Sequence, residues 1–507
     1  MLLADLVRTW QEVGATRSRR AKVALLAACL RRLAPEERAA GASFLAGHPP
    51  LGRLGVGWAA LAEAKVPPRP EPSTLTVAEV DSLLSTIAAA AGPGSRRERA
   101  RLLGDLLGGA TVNEQRFLQS LIMQDLRQGA LEGLLVEALA AAAGVPLDEV
   151  RRAVMVQGEL GPVAAAALGA GAPALRRFAL GLFRPLLPML AQTADGLEEA
   201  VGALGLAVLE AKIDGARIQV HRQGERVAIF TRTGRDVTPA LPEVAAAALA
   251  LPVRAVILDG EAVALLPGGR PLPFQVTMSR FGSAGERPGA ETRLTPLFFD
   301  CLHLDGEDLL DRPTEARAAA LAGVVPGDFL VARTVTASAA EAAAFYERVL
   351  AMGHEGLLVK DPAAAYEAGR RGAAWLKVKP FHTVDLVVLA AEWGSGRRRG
   401  FLSNLHLGAR DPDSGSFVML GKTFKGLTDE MLAWQTAALL EREVERRGHV
   451  VAVRPELVVE IACDGVQASP RYPGGVTLRF ARVKRYRPDK SAVAADTITT
   501  VRSLQRA

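Results

Sequence analysis

Glu210-Ala211-Lys212-Ile213-Asp214-Gly215-Ala216-Arg217 lies near the middle of the 507-residue chain. It is entered from the apolar run Ala207-Val208-Leu209 and left through Ile218 and Val220 alternating with Gln219 and His221, so it reads as two strands joined by a glycine-containing bend. Lys212 stands at the bend. A protonated lysine is a poor nucleophile, but desolvation, neighbouring cations or a metal can lower its pKa enough to free the amine. Lys-x-Asp-Gly alone arises often by chance, and a lysine at a strand end is ordinarily a solvated charge. The surrounding stretches carry the choice between the two readings.

Downstream, short strands alternate with helices from about 196 to 381. Gln223-Gly224 reads as a hairpin turn with Val227-Ala228-Ile229-Phe230 returning, and Val256-Ile257-Leu258, Pro296-Leu297-Phe298-Phe299 and Gly356-Leu357-Leu358-Val359 read as strands. Helical stretches such as Ala316–Leu321 and Ala339–Leu350 intervene, predicting an α+β domain. Trp375-Leu376-Lys377-Val378-Lys379-Pro380 closes it, with Lys377 and Lys379 on one face of a strand. Two adjacent ammonium groups mark either a phosphate site or a solvent-facing edge strand protected against aggregation.

Upstream, residues 1–195 are rich in Ala and Leu. Val23, Leu26, Leu30 and Leu33 recur at helical spacing before Pro35, and Phe117, Leu121, Leu135, Val136 and Leu139 continue the pattern, predicting an all-helical domain. The proline-rich stretch at 66–72 divides it into two lobes or loops out between them. Phe183-Arg184-Pro185-Leu186-Leu187-Pro188 leads into an extended linker. Basic clusters at 17–22, 96–101 and Arg151/Arg152 are either solvated helix faces or contacts to a duplex backbone, as is Arg127 at a predicted helix end.

Beyond Pro380, the strands Val384–Leu389, Leu405–Leu407, Phe417–Leu420 and Leu457–Ile461 predict a small barrel such as the oligonucleotide-binding fold over 382–507. The glycine-rich loop at 394–400 carries Arg397, Arg398 and Arg399 and reads as a mobile, phosphate-contacting segment. Gly421-Lys422-Thr423 lacks the glycine spacing of a P-loop and is discounted.

The chain is 49% apolar with a net charge of +6 and has no run of about 18 uncharged apolar residues, so no membrane span is expected. Cations outnumber acids in 1–195 and 382–507, and acids outnumber cations between them. Basic flanks around a centre that supplies carboxylates suit nucleic-acid chemistry. The N-terminus does not read as a signal peptide, and three widely spaced cysteines point to a reducing cytoplasm.

Taken in order, Lys212-Ile213-Asp214-Gly215, Thr231-Arg232-Thr233-Gly234, Asp259-Gly260-Glu261, Phe298-Phe299-Asp300, Glu355–Lys360, Lys377-Val378-Lys379, Arg479-Phe480 and Arg487-Pro488-Asp489-Lys490 resemble the signature series of covalent nucleotidyltransferases. The likeness is specifically to ATP-dependent DNA ligases, nearest the three-domain bacterial ligases of actinobacterial type, and it covers essentially the whole chain. It implies a helical DNA-binding domain at 1–195, an adenylation domain at 196–381 and an oligonucleotide-binding barrel at 382–507. It implies that Lys212 takes AMP from ATP, that AMP passes to the 5′-phosphate of a nick in duplex DNA, and that the 3′-hydroxyl displaces it.

The resemblance also distributes roles. Glu261 bonds the ribose, Phe299 stacks on adenine and Glu210 lies beside the base. Arg217 and Arg232 hold ribose and the nick phosphate, and Arg371, Lys377 and Lys379 belong to the ATP site. Glu355, with Glu261, holds Mg2+, with Mn2+ as its substitute; Arg487, Asp489 and Lys490 reach the pyrophosphate. Arg127 and Arg397–Arg399 contact DNA. A monomer acting at the nucleoid in replication, repair or recombination follows. Of Phe298 and Phe299, one is expected in the core, and Asp259 and Asp300 also read as turn or cap residues.

Overall fold

A computed structural model describes residues 1–49, 54–64, 66–126, 132–194, 196–281, 292–367 and 371–505. Among the described residues before Leu190, the regular elements are helices, from Leu3–Ala15 to Ala172–Leu175. Local chemistry starts several of them. At Val77–Ala89, Thr76 Oγ1 accepts from the Glu79 N–H at 3.2 Å while Glu79 returns a carboxylate oxygen to the Thr76 N–H at 2.8 Å.

One core runs through the helices from Leu3 and Leu26 to Phe117, Leu139 and Leu175. The proline-rich stretch therefore does not separate two lobes: the Arg69 N–H bonds the Ala110 carbonyl at 2.9 Å, and Ser73 bonds the buried Glu114. The basic clusters are partly consumed within the unit. Arg99 caps the carbonyls of Ile87 and Ala90, and Arg101 pairs with Glu98 and Asp105.

Among the described residues ten strands follow: β1 (Leu190–Thr193), β2 (Ala207–Lys212), β3 (Ala216–Gln223), β4 (Arg226–Thr231), β5 (Ala255–Ala264), β6 (Leu294–Leu304), β7 (Glu307–Asp308), β8 (Arg333–Thr336), β9 (Gly356–Lys360) and β10 (Arg371–Val378). They form two five-stranded sheets, ordered β1-β10-β9-β2-β8 and β4-β3-β5-β6-β7. Leu209, Leu357 and Trp375 of the first sheet share a core with Ile257, Val263 and Phe299 of the second, so the sheets lie face to face. Helices Pro242–Leu249 and Thr314–Val324 supply Val244, Ala248 and Leu321 to a core containing Phe298 of the second sheet.

Two expectations change here. β10 is interior, between β1 and β9, so Lys377 and Lys379 do not protect an exposed edge. Asp259 and Asp300 are not turn or cap residues; both are buried strand residues paired with Arg217 and Arg317.

The segment before β1 is docked rather than free. Leu186 N–H bonds Gln219 Oε1 at 2.8 Å, Met189 N–H bonds the Tyr366 hydroxyl at 3.0 Å, and Phe183, at φ +66°, gives its N–H to His221 Nδ1 at 2.9 Å. His221 Nε2 lies 2.8 Å from Gln219 Oε1. A neutral ring with its proton on Nε2 satisfies both contacts, whereas a second proton on Nδ1 would face an N–H donor. Burial, reinforced by His303, lowers the His221 pKa to about 3. The native state therefore binds fewer protons than the unfolded chain below about pH 6.5, and the stability held above that pH is lost as pH falls toward 3. The denaturation midpoint of the wild type should fall more steeply between pH 7 and 4 than that of His221→Gln; parallel curves would remove His221 as the cause.

The C-terminal unit is β-rich: β11 (His382–Trp393), β12 (Leu402–Arg410), β13 (Phe417–Thr423), β14 (Glu443–Arg447), β15 (Val450–Val453), β16 (Val458–Cys463), β17 (Gly465–Ala468), β18 (Val476–Arg479) and β19 (Arg482–Tyr486). Seven form one sheet, in which the long β11 pairs with β12, β15 and β16. β17 and β18 make a separate hairpin. The arginine loop is pinned, its ends closed by Gly394 N–H to the Phe401 carbonyl at 2.8 Å. Arg398 is spent on the Phe424 carbonyl and Arg399 is exposed. Lys422 bonds Glu392 from β13, in keeping with the discounted P-loop.

Candidate active site

The bend after β2 is set by close packing. A Cβ on Gly215 would lie 2.7 Å from the Ala262 carbonyl of β5, so only glycine lets the bend rest against that strand. Lys212 ends β2 opposite Gly356, the first residue of β9, and its carbonyl accepts the Glu355 N–H at 2.9 Å. A Cβ at Gly356, whose φ is +152°, would collide with the Val378 carbonyl. Two glycines thus bring Lys212, Glu355 and the end of β10 together.

The side chains complete that meeting. Lys212 and Lys379 each hydrogen-bond one oxygen of Glu355. Burial pushes the Glu355 carboxyl up, but the two ammonium groups outweigh it and hold the group below the usual carboxylate range. Beside them opens a cavity of about 640 Å³ lined by Glu210, Lys212, Arg217, Arg232, Glu261, Phe299, Lys377 and Lys379, with Trp375, Leu358 and Arg235. Glu355 is not on its wall and lies behind the two ammonium groups.

Each predicted residue now has a place. Phe299, buried in the core between the two sheets, borders the cavity edge-on to Trp375 at 6.1 Å, while Phe298 lies in the separate core with Val244 and Leu321, so both are core residues. Glu210 is buried and ion-paired to Lys360 at 2.5 Å, and the Lys360 ammonium lies over Trp375 at 4.1 Å. Arg217 is largely committed: two nitrogens bond Asp259 at 3.0 and 2.6 Å, and a third contact reaches the Met189 carbonyl at 2.7 Å. Arg232 is exposed at the cavity mouth. Arg127 lies outside the described residues, as do the side chains of Arg371 and Arg397.

Glu261 is half-buried, and its Oε2, itself shielded from solvent, has no hydrogen-bond partner. Burial raises its pKa to about 8 despite Lys212 and Arg217, which pull it down. Near neutral pH it is a carboxylic acid able to donate a hydrogen bond. No group of three His, Cys, Asp or Glu side chains gathers among the described residues. The unused oxygen of Glu261 fits Mg2+, which takes one or two carboxylates and draws its other ligands from phosphate and water, whereas Glu355 joins it only by giving up one of its two lysines.

The Arg487, Asp489 and Lys490 group is not brought to this cavity. Arg487 bonds Asp489 at 2.6 Å and Asp385 at 3.1 Å, and Lys490 bonds Asp385, all within the C-terminal unit. The face turned to the cavity is instead that of the β17–β18 hairpin. Arg479 makes a bidentate pair with Asp214 at 2.5 and 3.1 Å. Sequence reasoning gave no role to Lys360, Trp375 or Arg235. The first two close and open stretches already quoted, and the third follows Gly234.

The family description ATP dependent DNA ligase domain matches residues 188–379, the ATP dependent DNA ligase C terminal region matches 398–490, and the DNA ligase N terminus matches 58–140. A protein of Anaeromyxobacter sp. (strain Fw109-5) named "Probable DNA ligase" is 59% identical over 510 residues, covering 99% of this chain and 98% of its own. One of the same name from Saccharopolyspora erythraea is 55% identical over 505 residues, with 100% and 98% covered. The solved structure named Pmar-Lig_Pre shares the fold, with a TM-score of 0.63 at 18% identity over 95% of this chain and 99% of that one. With near-complete coverage at such identity, and a lysine, its carboxylate partner and a second lysine meeting beside a nucleotide-sized cavity, the chain belongs to the family of ATP-dependent DNA ligases.

Proposed function

We propose that this ligase seals nicks in duplex DNA through a lysyl-AMP formed on Lys212, and that the three units are a helical DNA-binding domain, an adenylation domain and an oligonucleotide-binding barrel. The boundaries are proposed at 1–195, 196–381 and 382–507, and the pairing of β1 with β10 supports drawing the first of them a few residues earlier, near 190. The observation that carries the reading is the pair of ammonium groups, Lys212 and Lys379, on one carboxylate beside the cavity.

The chemistry follows from that arrangement. Lys212 Nζ, once it has given up its proton to solvent, attacks the α-phosphate of ATP, forming the N–P bond as the bond to pyrophosphate breaks. Lys377 and Lys379 neutralise the phosphate, Glu261 donates to the ribose and Phe299 and Trp375 bound the base. The 5′-phosphate of the nick takes AMP from Lys212, held by Arg232, and the 3′-hydroxyl then displaces AMP to make the phosphodiester. Glu261, after loss of its proton, and Glu355 would hold Mg2+ or Mn2+, which when bound would supply charge neutralisation at the phosphates. Arg371 belongs to the ATP site.

Arg487, Asp489 and Lys490 serve the pyrophosphate in a second placement of the barrel. Arg127, Arg397 and Arg399 contact the DNA backbone, with Arg398 bracing the loop. The protein works as a monomer on cytoplasmic, nucleoid DNA, and no helix among the described residues is long and apolar enough to cross a membrane.

The test is incubation with α-phosphate-labelled ATP or GTP and Mg2+, followed by a denaturing gel and by addition of nicked duplex DNA. Label from ATP alone, chased into a sealed strand, is the expected result. Label from GTP, or a labelled protein that seals nicked RNA in preference to DNA, would overturn the assignment.

A further inference from the structure

The barrel brings one carboxylate to the paired lysines. Asp464, between β16 and β17, places Oδ2 3.5 Å from Lys379 Nζ and Oδ1 3.3 Å from the Arg482 guanidinium. Its backbone N–H bonds the Arg479 carbonyl at 3.0 Å, and Arg479 is the residue whose side chain grips Asp214. A line of alternating charge therefore crosses the domain seam: Lys212, Glu355, Lys379, Asp464, Arg482. A second cavity of about 490 Å³ runs along that seam, lined by Lys377, Lys379, Phe381, Phe480, Arg482 and Lys484, with Asp464 as its carboxylate.

Acid in so cationic a cavity opposes phosphate binding unless it has another task. Lys379 shares Glu355 with the nucleophile, and two like charges on one carboxylate repel each other. A second carboxylate on its far side balances that pull and fixes where the ammonium sits. Asp464 can do this only while the hairpin face of the barrel is docked, which is the placement that leaves Arg487 and Lys490 on their own Asp385.

We propose that Asp464 is a positioning residue for the sealing step, holding Lys379 at the adenylated nick while the barrel is docked by this face. The inference rests on the ligase reading given above. It separates the steps: loading of Lys212 uses a different barrel placement and does not need Asp464, whereas attack by the 3′-hydroxyl does.

The experiment compares self-labelling by α-labelled ATP with single-turnover sealing of a nicked duplex supplied already adenylated at its 5′-phosphate, without ATP. Asp464→Asn keeps size and removes charge. It should label within about 2-fold of wild type and seal roughly 10-fold more slowly, with Asp464→Glu recovering most of the loss. Sealing at the wild-type rate, or labelling and sealing that fall together, would overturn the role. Wild-type protein that takes no label from ATP would instead defeat the ligase reading, and the sealing comparison on ready-made adenylated DNA would still decide on Asp464.

Discussion

Lys212→Ala leaves no AMP on the protein: labelling from α-labelled ATP should fall by at least about 10⁴-fold, below detection on a denaturing gel. In the proposed reaction the Lys212 amine forms the N–P bond, and alanine offers nothing in its place. Neighbouring Lys379 is held on the opposite oxygen of Glu355. Nick sealing with ATP should vanish in parallel. Sealing of a pre-adenylated nick should survive to within about 100-fold, because by then AMP has left the lysine and only phosphate binding and positioning remain. A labelled band of wild-type intensity would move the attachment to another amine, with Lys379 the first to examine.

Asp300→Asn should destabilise the central unit by about 3–5 kcal/mol, a fall of roughly 10 °C in its melting transition. Asp300 receives Arg317 Nε at 2.8 Å and Nη2 at 3.1 Å, and the two side chains are 2% and 0% exposed. Arg317 also bonds the carbonyls of Arg312 and Ala364, which fixes it where it is. Asparagine keeps the shape but strands a guanidinium charge with no water to solvate it. Replacing both partners by apolar residues of similar size should recover much of the loss, since the cost lies in the unpaired charge rather than in the missing attraction. A shift below about 1 kcal/mol would show that solvent reaches the pair.

Local patterns carried far into this fold. Gln223-Gly224 and the alternation through Ile218 and Val220 are properties of a few adjacent residues, and each became the expected turn or strand. The ordered motif series named many of the side chains that line the cavity, Lys212, Arg232, Glu261, Phe299, Lys377 and Lys379 among them, but also the Arg487 group, which lies elsewhere.

Long-range packing decided the rest. Two lysines on one strand face leave their environment open until β1 is seen to cover β10. Asp259 and Asp300 look like turn residues until strand pairing buries them beside arginines 42 and 17 positions away. Nor does the motif Arg487-Pro488-Asp489-Lys490 say which face of the barrel meets the cavity. Sequence spacing encodes which side chains share a strand or helix face, and that was enough for the elements and the family. Which charges neutralise one another is settled only by tertiary contact, because burial sets the cost of a charge and the partner that offsets it arrives from a distant segment.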